Sequence, residues 1–303
     1  MKIGVRIEDF ATSTNDHSGA NSVLPYTAIR EIAQTAEEGG LDSIWHSDHL
    51  LYRFQPENTK GPWESWTILS ALAEATSKIE LGSLVLSNPF RNPGLLAKMA
   101  HTLDEVSNGR LILGIGTGWH KPEFDAFGYS FNNRVDRLEE SLQILQPLLK
   151  GKKVDFNGTY NQANNCVILP VSPRSNGIPL LIGAHGPRML RLTAQYADMW
   201  NKAWLGNAET FKPHLAELRK ACEDTNRDMN TLDITASVSV SFPDLGKITP
   251  FTLEPISGSI QNIAREFQKY EELGTAHLVV QYTPSTLAGL ERLIDVVKFY
   301  RKM

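Results

Sequence analysis

The 303 residues carry 34 acidic and 30 basic side chains, a formal charge of -4, with 41% hydrophobic and 21% charged residues. That balance, without long blocks of like charge, excludes a disordered chain and gives no footprint for nucleic acid or a membrane surface, so the partner to expect is a small-molecule substrate. Cys166 and Cys222 match no metal-ligand or disulfide spacing, and the amino-terminal Met-Lys-Ile-Gly-Val-Arg-Ile-Glu-Asp is unlike a signal peptide, so a reducing, cytoplasmic setting is expected.

In chain order, residues 2–7 read as a first strand and 25–38 as a helix with Ile29, Ile32, Ala33 and Ala36 at helical spacing, ended by Gly39-Gly40. Residues 42–45 are a short second strand running into Ser47-Asp48-His49, and 64–76 a second helix. Residues 79–86 form a third strand leading to Ser87-Asn88-Pro89-Phe90-Arg91, then come a third helix at 94–106 and a fourth strand at 110–115. The fourth helix, 134–149, places Val135, Leu138, Leu142, Leu145 and Leu149 on one face. Residues 154–173 break the rhythm with alternating residues, Asn-Gly and two prolines, and read as a hairpin-like excursion between the fourth helix and the fifth strand.

Strands at 179–182, 197–200, 233–240 and 277–281 then alternate with a helix through Gln195 and helices at 208–225, 259–273 and 287–302. Eight strand-helix units with short returns predict an α/β fold, a closed parallel (β/α)8 TIM barrel, with residues 1–303 as one domain. A doubly wound open sheet competes, but no Gly-x-Gly-x-x-Gly turn follows the first strand.

In such a barrel the loops after the strands share one face, which gathers the chemistry-bearing motifs. The fourth strand stops in Gly114, Gly116 and Gly118, then presents Trp119, His120 and Glu123; the bland reading is a glycine-rich strand end with a Trp on the core. Asp48 and His49 are placed to orient and move a proton, since a neutral imidazole titrates near physiological pH. His46 and His120 with Glu123 raise a metal reading, set aside because the first strand has no His-x-His pair and no His-Glu-x-x-His occurs. Gly183-Ala184-His185-Gly186-Pro187-Arg188 opens a helix and reads either as an anion site, with Arg188 adding charge, or as a plain turn with proline at a first helical position. Leu84-Val85-Leu86 ahead of Ser87 gives an apolar shelf for a flat ring, or an ordinary buried strand. At least half of the six tryptophans are expected in the core.

Together Asp42-Ser-Ile-Trp-His-Ser-Asp-His49, Ile79 through Pro93, Leu103 through Trp119 and Glu123-Phe-Asp-Ala-Phe-Gly128 resemble the luciferase-like flavin and deazaflavin oxidoreductases, the bacterial luciferase-like monooxygenase superfamily. The resemblance implies a cofactor ring across the carboxyl face, with His49 as active-site histidine, Asp48 beside it at the cofactor, and a non-prolyl cis peptide at Leu84 and Val85 beneath the ring. It implies that Ser87 reaches the ring edge, that Thr117 and Trp119 line the cofactor, and that Gly183, Ala184, His185 and Gly186 with Arg188 hold its phosphate tail, although His185 replaces a usual glycine. Catalytic roles are expected of His49, His120 and Glu123, with no metal. Trp119 stands where some deazaflavin members carry a carboxylate, which speaks against a sugar-phosphate dehydrogenase. The expected activity is hydride transfer between coenzyme F420 and a small organic substrate; the alternatives are an FMN-dependent monooxygenase served by a flavin reductase, and a non-catalytic flavin-binding protein. The resemblance also implies a homodimer paired through barrel helices.

Overall fold

The computed structural model describes residues 1–8, 23–55, 58–246 and 254–303. Its first strand, β1 (Lys2–Arg6), is followed by α1 (Tyr26–Glu38), whose Ile29, Ile32, Ala33 and Ala36 are buried as the spacing predicts. β2 (Ser43–His46) leads to a hairpin that sequence periodicity does not reveal, β3 (Tyr52–Gln55) and β4 (Asn58–Lys60). α2 (Ser65–Ala75) begins where the Glu64 carboxylate accepts the amides of Trp66 and Thr67.

The third predicted strand is divided. β5 (Glu80–Ser83) stops at a cis Leu84–Val85 peptide and resumes as β6 (Leu86–Ser87). α3 (Pro93–Val106) starts on Pro93 with the Asn92 side chain accepting the amides of Gly94 and Leu95, a cap worth about 1 kcal/mol. β7 (Leu111–Gly116) runs into a short unpredicted helix, α4 (Lys121–Phe127), and then α5 (Arg134–Leu149).

The excursion is an antiparallel pair, β8 (Val154–Asn157) and β9 (Gln162–Cys166). The chain after it is tied to α3, where His101 Nδ1 accepts the Ser172 amide at 2.9 Å and Lys98 donates to the Leu169 carbonyl at 2.6 Å. The remaining units are β10 (Leu180–Gly183) with α6 (Pro187–Tyr196), β11 (Met199–Leu205) with α7 (Lys212–Asp224), β12 (Asp233–Ser241) with the short β13 (Ile256–Ser257) and α8 (Ile260–Glu272), and β14 (His277–Thr283) with α9 (Leu287–Tyr300). The sixth strand thus lies further along the chain than 197–200, and a 3-10 turn at Ala208–Phe211 precedes its helix.

Eight parallel strands in the order β10-β11-β12-β14-β1-β2-β5-β7 close through the β10–β7 pairing into a barrel. Outward residues such as Ile3, Val5, Leu278 and Val280 pack against the helices, while Trp45, Ile112, Leu181, Met199 and Val279 fill the interior. Trp45 has room because Gly82 faces it: a Cβ there would stand 2.2 Å from the indole ring. Of the six tryptophans, Trp45, Trp66 and Trp200 are buried and Trp63, Trp119 and Trp204 exposed. The barrel interior is therefore a packed plug, and chemistry is confined to the rim above it.

Candidate active site

His49 lies three residues beyond β2, at the carboxyl rim. Its Nδ1 is 3.1 Å from Glu123 Oε1 and 3.3 Å from Oε2, and Glu123, 1% exposed in the first turn of α4, also accepts the Leu50 amide at 2.8 Å. A buried carboxylate against Nδ1 assigns the ring proton to that nitrogen and leaves Nε2 for another partner. The two residues are 74 apart in sequence, and the short α4 brings them together.

His120 has a structural partner in the protein. Its Nε2 accepts the Arg53 amide at 2.9 Å, which ties the β3–β4 hairpin to the start of α4. Burial lowers its pKa, Glu123 works against that shift, and His49 adds to it. The neutral ring is the form that can accept at Nε2.

Asp48 is enclosed. Both its oxygens take Arg91 N–H groups, at 2.7 and 2.9 Å, and Oδ2 also takes the Ser87 amide at 2.9 Å. Arg91 continues to Glu64, the cap of α2, at 2.5 Å. Burial opposes the charge on Arg91, but its bonds to Asp48 and Glu64 prevail and raise its pKa. The carboxylate therefore aligns the loop carrying His49 with the chain at Ser87. Arg91 was visible in the sequence only as part of a motif, and its partner could not be read from spacing.

Beneath the rim, the Val85 side chain sits among glycines. A Cβ on Gly116 would come 2.8 Å from Val85 Cγ2, and one on Gly183 3.1 Å from its Cγ1. Beside this shelf the buried Ser87 Oγ has no hydrogen-bond partner among the described residues, although a Cβ on Gly118 would stand only 2.4 Å from it. Thr117 is half-buried, its hydroxyl donating to the Gly118 carbonyl at 3.3 Å. A flat ring with polar edge atoms suits this arrangement: an apolar seat kept low by glycines, and an orphan hydroxyl at its side.

The turn after β10 departs from the expected anion site in two respects. The Ala184 amide donates to the Asn201 carbonyl at 3.2 Å, and Arg188 turns to Asp136 and Glu139 on α5, at 2.6 Å each. These bonds raise the Arg188 pKa, Glu139 contributing most. His185 is exposed, and Gly186 takes φ +81° with nothing within 4 Å of a built Cβ, so backbone there is open to a ligand. Among the described residues no cluster of three or more His, Cys, Asp or Glu is arranged for a metal, and no helix is long and apolar enough to cross a membrane.

Sequence reading singled out Trp119 but missed the other members of an aromatic wall. Tyr52 packs on His49 with ring centroids 4.4 Å apart, Trp119 meets the same imidazole edge-on at 5.5 Å, and Phe54 stands 6.4 Å from Trp119 in a stacked orientation. Phe54 is 73% and Trp119 54% exposed, a large apolar surface held at a rim that carries an ionisable pair. The hairpin strand that carries Tyr52 and Phe54 is short, with no clear strand signature, and only the aromatics after Leu51 hinted at it.

Comparison with known proteins gives the family and the fold. Residues 1–244 match the family described as luciferase-like monooxygenase. An F420-dependent glucose-6-phosphate dehydrogenase of Amycolatopsis mediterranei is 33% identical over 219 residues, 68% of this chain and 64% of that protein. The pyrimidine monooxygenase RutA of Yersinia enterocolitica is 34% identical over 255 residues, 76% of this chain and 65% of that protein, so the chain spans a little under two thirds of these relatives. Among solved structures, an F420-dependent secondary alcohol dehydrogenase bound to an F420-acetone adduct superposes with a TM-score of 0.79 at 17% identity, covering 99% of each chain. A riboflavin lyase, RcaE, with modified FMN gives 0.80 at 16% identity, covering 99% of this chain and 91% of that one; both likenesses concern the fold.

Proposed function

The chain belongs to the luciferase-like monooxygenase family, and from that premise we propose that it is an oxidoreductase that holds coenzyme F420 at the barrel mouth and exchanges a hydride with a small organic substrate. The observation that carries the proposal is the His49–Glu123 pair standing at the rim above a glycine-lined shelf with an unpartnered Ser87 hydroxyl. Val85, Gly116 and Gly183 would seat the ring, Ser87 would meet its edge, and the Gly186 backbone would take the tail. When bound, the cofactor supplies the hydride acceptor or donor.

The chain's own part is proton handling and exclusion of water. His49 Nε2 gives a proton to the substrate, or takes one, as the hydride moves, and buried Glu123 offsets the imidazolium's charge. Asp48 and Arg91 hold the His49 loop in register with the shelf. Tyr52, Phe54 and Trp119 screen the reacting atoms from solvent. We place the enzyme in the cytoplasm, as a homodimer.

An FMN-dependent monooxygenase is the second reading, favoured by the 34% identity to a pyrimidine monooxygenase. It would consume dioxygen and need a flavin reductase. Parallel titration of the protein with F420 and FMN, oxidised and reduced, followed by tryptophan quenching, separates the readings. Tight binding of F420 alone supports hydride transfer, preference for reduced FMN supports oxygenation, and binding of neither overturns both.

A further inference from the structure

The polar groups of the barrel interior lie on one side of it. On β14, Leu278, Val280 and Tyr282 pack into the outer core and Val279 joins the interior cluster, so Gln281 shares Val279's face one step nearer the carboxyl rim. The same alternation turns Arg6 inward on β1, past Ile3 and Val5, and Ser237 and Ser239 inward on β12, between Ala236, Val238 and Val240. Ser239 pairs with Gln281 and Val5 with Val280, which sets Arg6, Gln281 and Ser239 side by side on three neighbouring strands. Asn201 on β11 extends the arc, accepting from the Ser237 hydroxyl at 3.2 Å and donating to Thr235 at 2.8 Å. The facing arc of β5, β7 and β10 is the apolar shelf of Val85 and its glycines.

Within the polar arc Gln281 is 7% exposed, yet its amide makes no side-chain hydrogen bond among the described residues. A carboxamide holds an acceptor and a donor side by side, and because neither amide atom is among the sealed, unpartnered polar atoms of the described residues, both remain within reach of a ligand. Its complement is a group with an N–H beside a C=O in one plane, the edge of a cis amide such as a lactam, imide or pyridinone. Arg6 adds a cation paired with Glu8: its Nη2 donates to Glu8 Oε2 at 3.4 Å and to Ser47 Oγ at 3.5 Å, and only its Nε, 3.4 Å from Glu8 Oε1, completes no hydrogen bond among the described residues. Ser47 is two residues before His49, so the arc runs to the imidazole, and the aromatic wall beside it accommodates a flat molecule.

We propose that this arc is the substrate-recognition wall, that Gln281 is its specificity-determining residue, and that it selects flat molecules with a cis-amide edge. The proposal rests on reading the barrel mouth as the site of reaction.

The test uses 2-pyridone and N-methyl-2-pyridone, alike in shape but for the N–H, titrated calorimetrically into the wild-type protein alongside F420 and FMN. The wild type should bind 2-pyridone at least about tenfold more tightly than its methylated partner, because a site built around a hydrogen bond rejects the analogue lacking it. Gln281→Leu should reduce 2-pyridone to the level of the methylated compound and leave cofactor affinity within about twofold, since no cofactor contact is assigned to it. Equal binding of the two pyridones, or binding of neither, overturns the proposal, and that comparison needs only the wild-type chain. A preserved 2-pyridone preference without binding of either cofactor leaves the recognition arc standing and removes the redox reading.

Discussion

At the amino end of the barrel, His277 is sealed into a chain of contacts in which Trp45 Nε1 donates to Ser43 Oγ and the Ser43 hydroxyl hydrogen-bonds His277 Nε2, both at 2.6 Å. Burial, aided by Lys2, pushes its pKa down to about 3, and its Nδ1 finds no partner. At the carboxyl end, His49 meets a buried carboxylate through one nitrogen and keeps the other free for a ligand. The two rings differ in what a proton would cost them. Next to a hydroxyl and an indole, an imidazolium has no counter-charge, whereas next to Glu123 it has one within hydrogen-bond distance. The barrel thus uses one residue type as neutral packing at its base and as a proton carrier at its rim.

The sharpest way to break that contrast is to remove the rim histidine. His49→Ala should slow turnover by about 10²- to 10⁴-fold, the usual contribution of a positioned acid or base, while cofactor affinity changes little. Pre-steady-state measurement of cofactor oxidation or reduction checks it. Unchanged turnover together with unchanged cofactor binding would favour a non-catalytic carrier.

Next in size is the frame around His49. Arg91→Ala leaves the Asp48 carboxylate buried with only the Ser87 amide, and should cost about 3–5 kcal/mol of stability, the range for stripping one partner from a buried pair. Urea unfolding measures it. Arg91→Lys should recover part of the stability without the two-pronged grip on Asp48.

Much of this contrast was open to sequence reading, and the reason differs between the ends. Barrel strands and helices follow from periodicity, because burying one face of each element demands it, as at Ile29, Ile32, Ala33 and Ala36. The rim motifs followed from their place after strands. The partnerships did not. Nothing in the spacing of His49 and Glu123, or of Asp48 and Arg91, fixes which carboxylate each takes, since that depends on α4 and on the break at Leu84–Val85. Arg188 shows the same limit, because its pairing with Asp136 and Glu139 depends on how α6 lies against α5. Arg6 and Gln281 were written in the strand alternation, but only the register shows that they are neighbours.

The base can be tested by pH. The folded-state pKa of His277 is depressed to about 3, so below the unfolded value near 6.5 the unfolded chain takes up a proton that the folded one refuses. Stability should fall as pH drops below about 6.5, by up to about 1.4 kcal/mol per pH unit from this group. His277→Asn, which keeps a non-titrating hydrogen-bond partner for Ser43, should show a flatter profile than wild type between pH 6.5 and 4.5 in urea titrations. Parallel profiles would mean that His277 does not account for the acid sensitivity.

The smallest effect is local, and it separates the two kinds of histidine within the rim itself. His120 holds the hairpin by accepting the Arg53 amide, and only the neutral ring can do so, because protonation makes both nitrogens donors. The charged groups around it pull in opposite senses: Glu123 favours the proton and His49 opposes it, while burial sets the net direction downward. The tie should therefore hold at neutral pH and fail as pH falls below the ordinary histidine range. A lost neutral hydrogen bond of about 1 kcal/mol corresponds to about a fivefold loss of protection at the Arg53 amide, read by hydrogen exchange after correction for the intrinsic rate. Global stability should barely register it, since the hairpin lies outside the barrel sheet. In His120→Gln the side-chain carbonyl accepts at every pH, so protection at Arg53 should lose its pH dependence. If it keeps that dependence, the protonation of His120 does not set it and the tie at Arg53 is held by another contact.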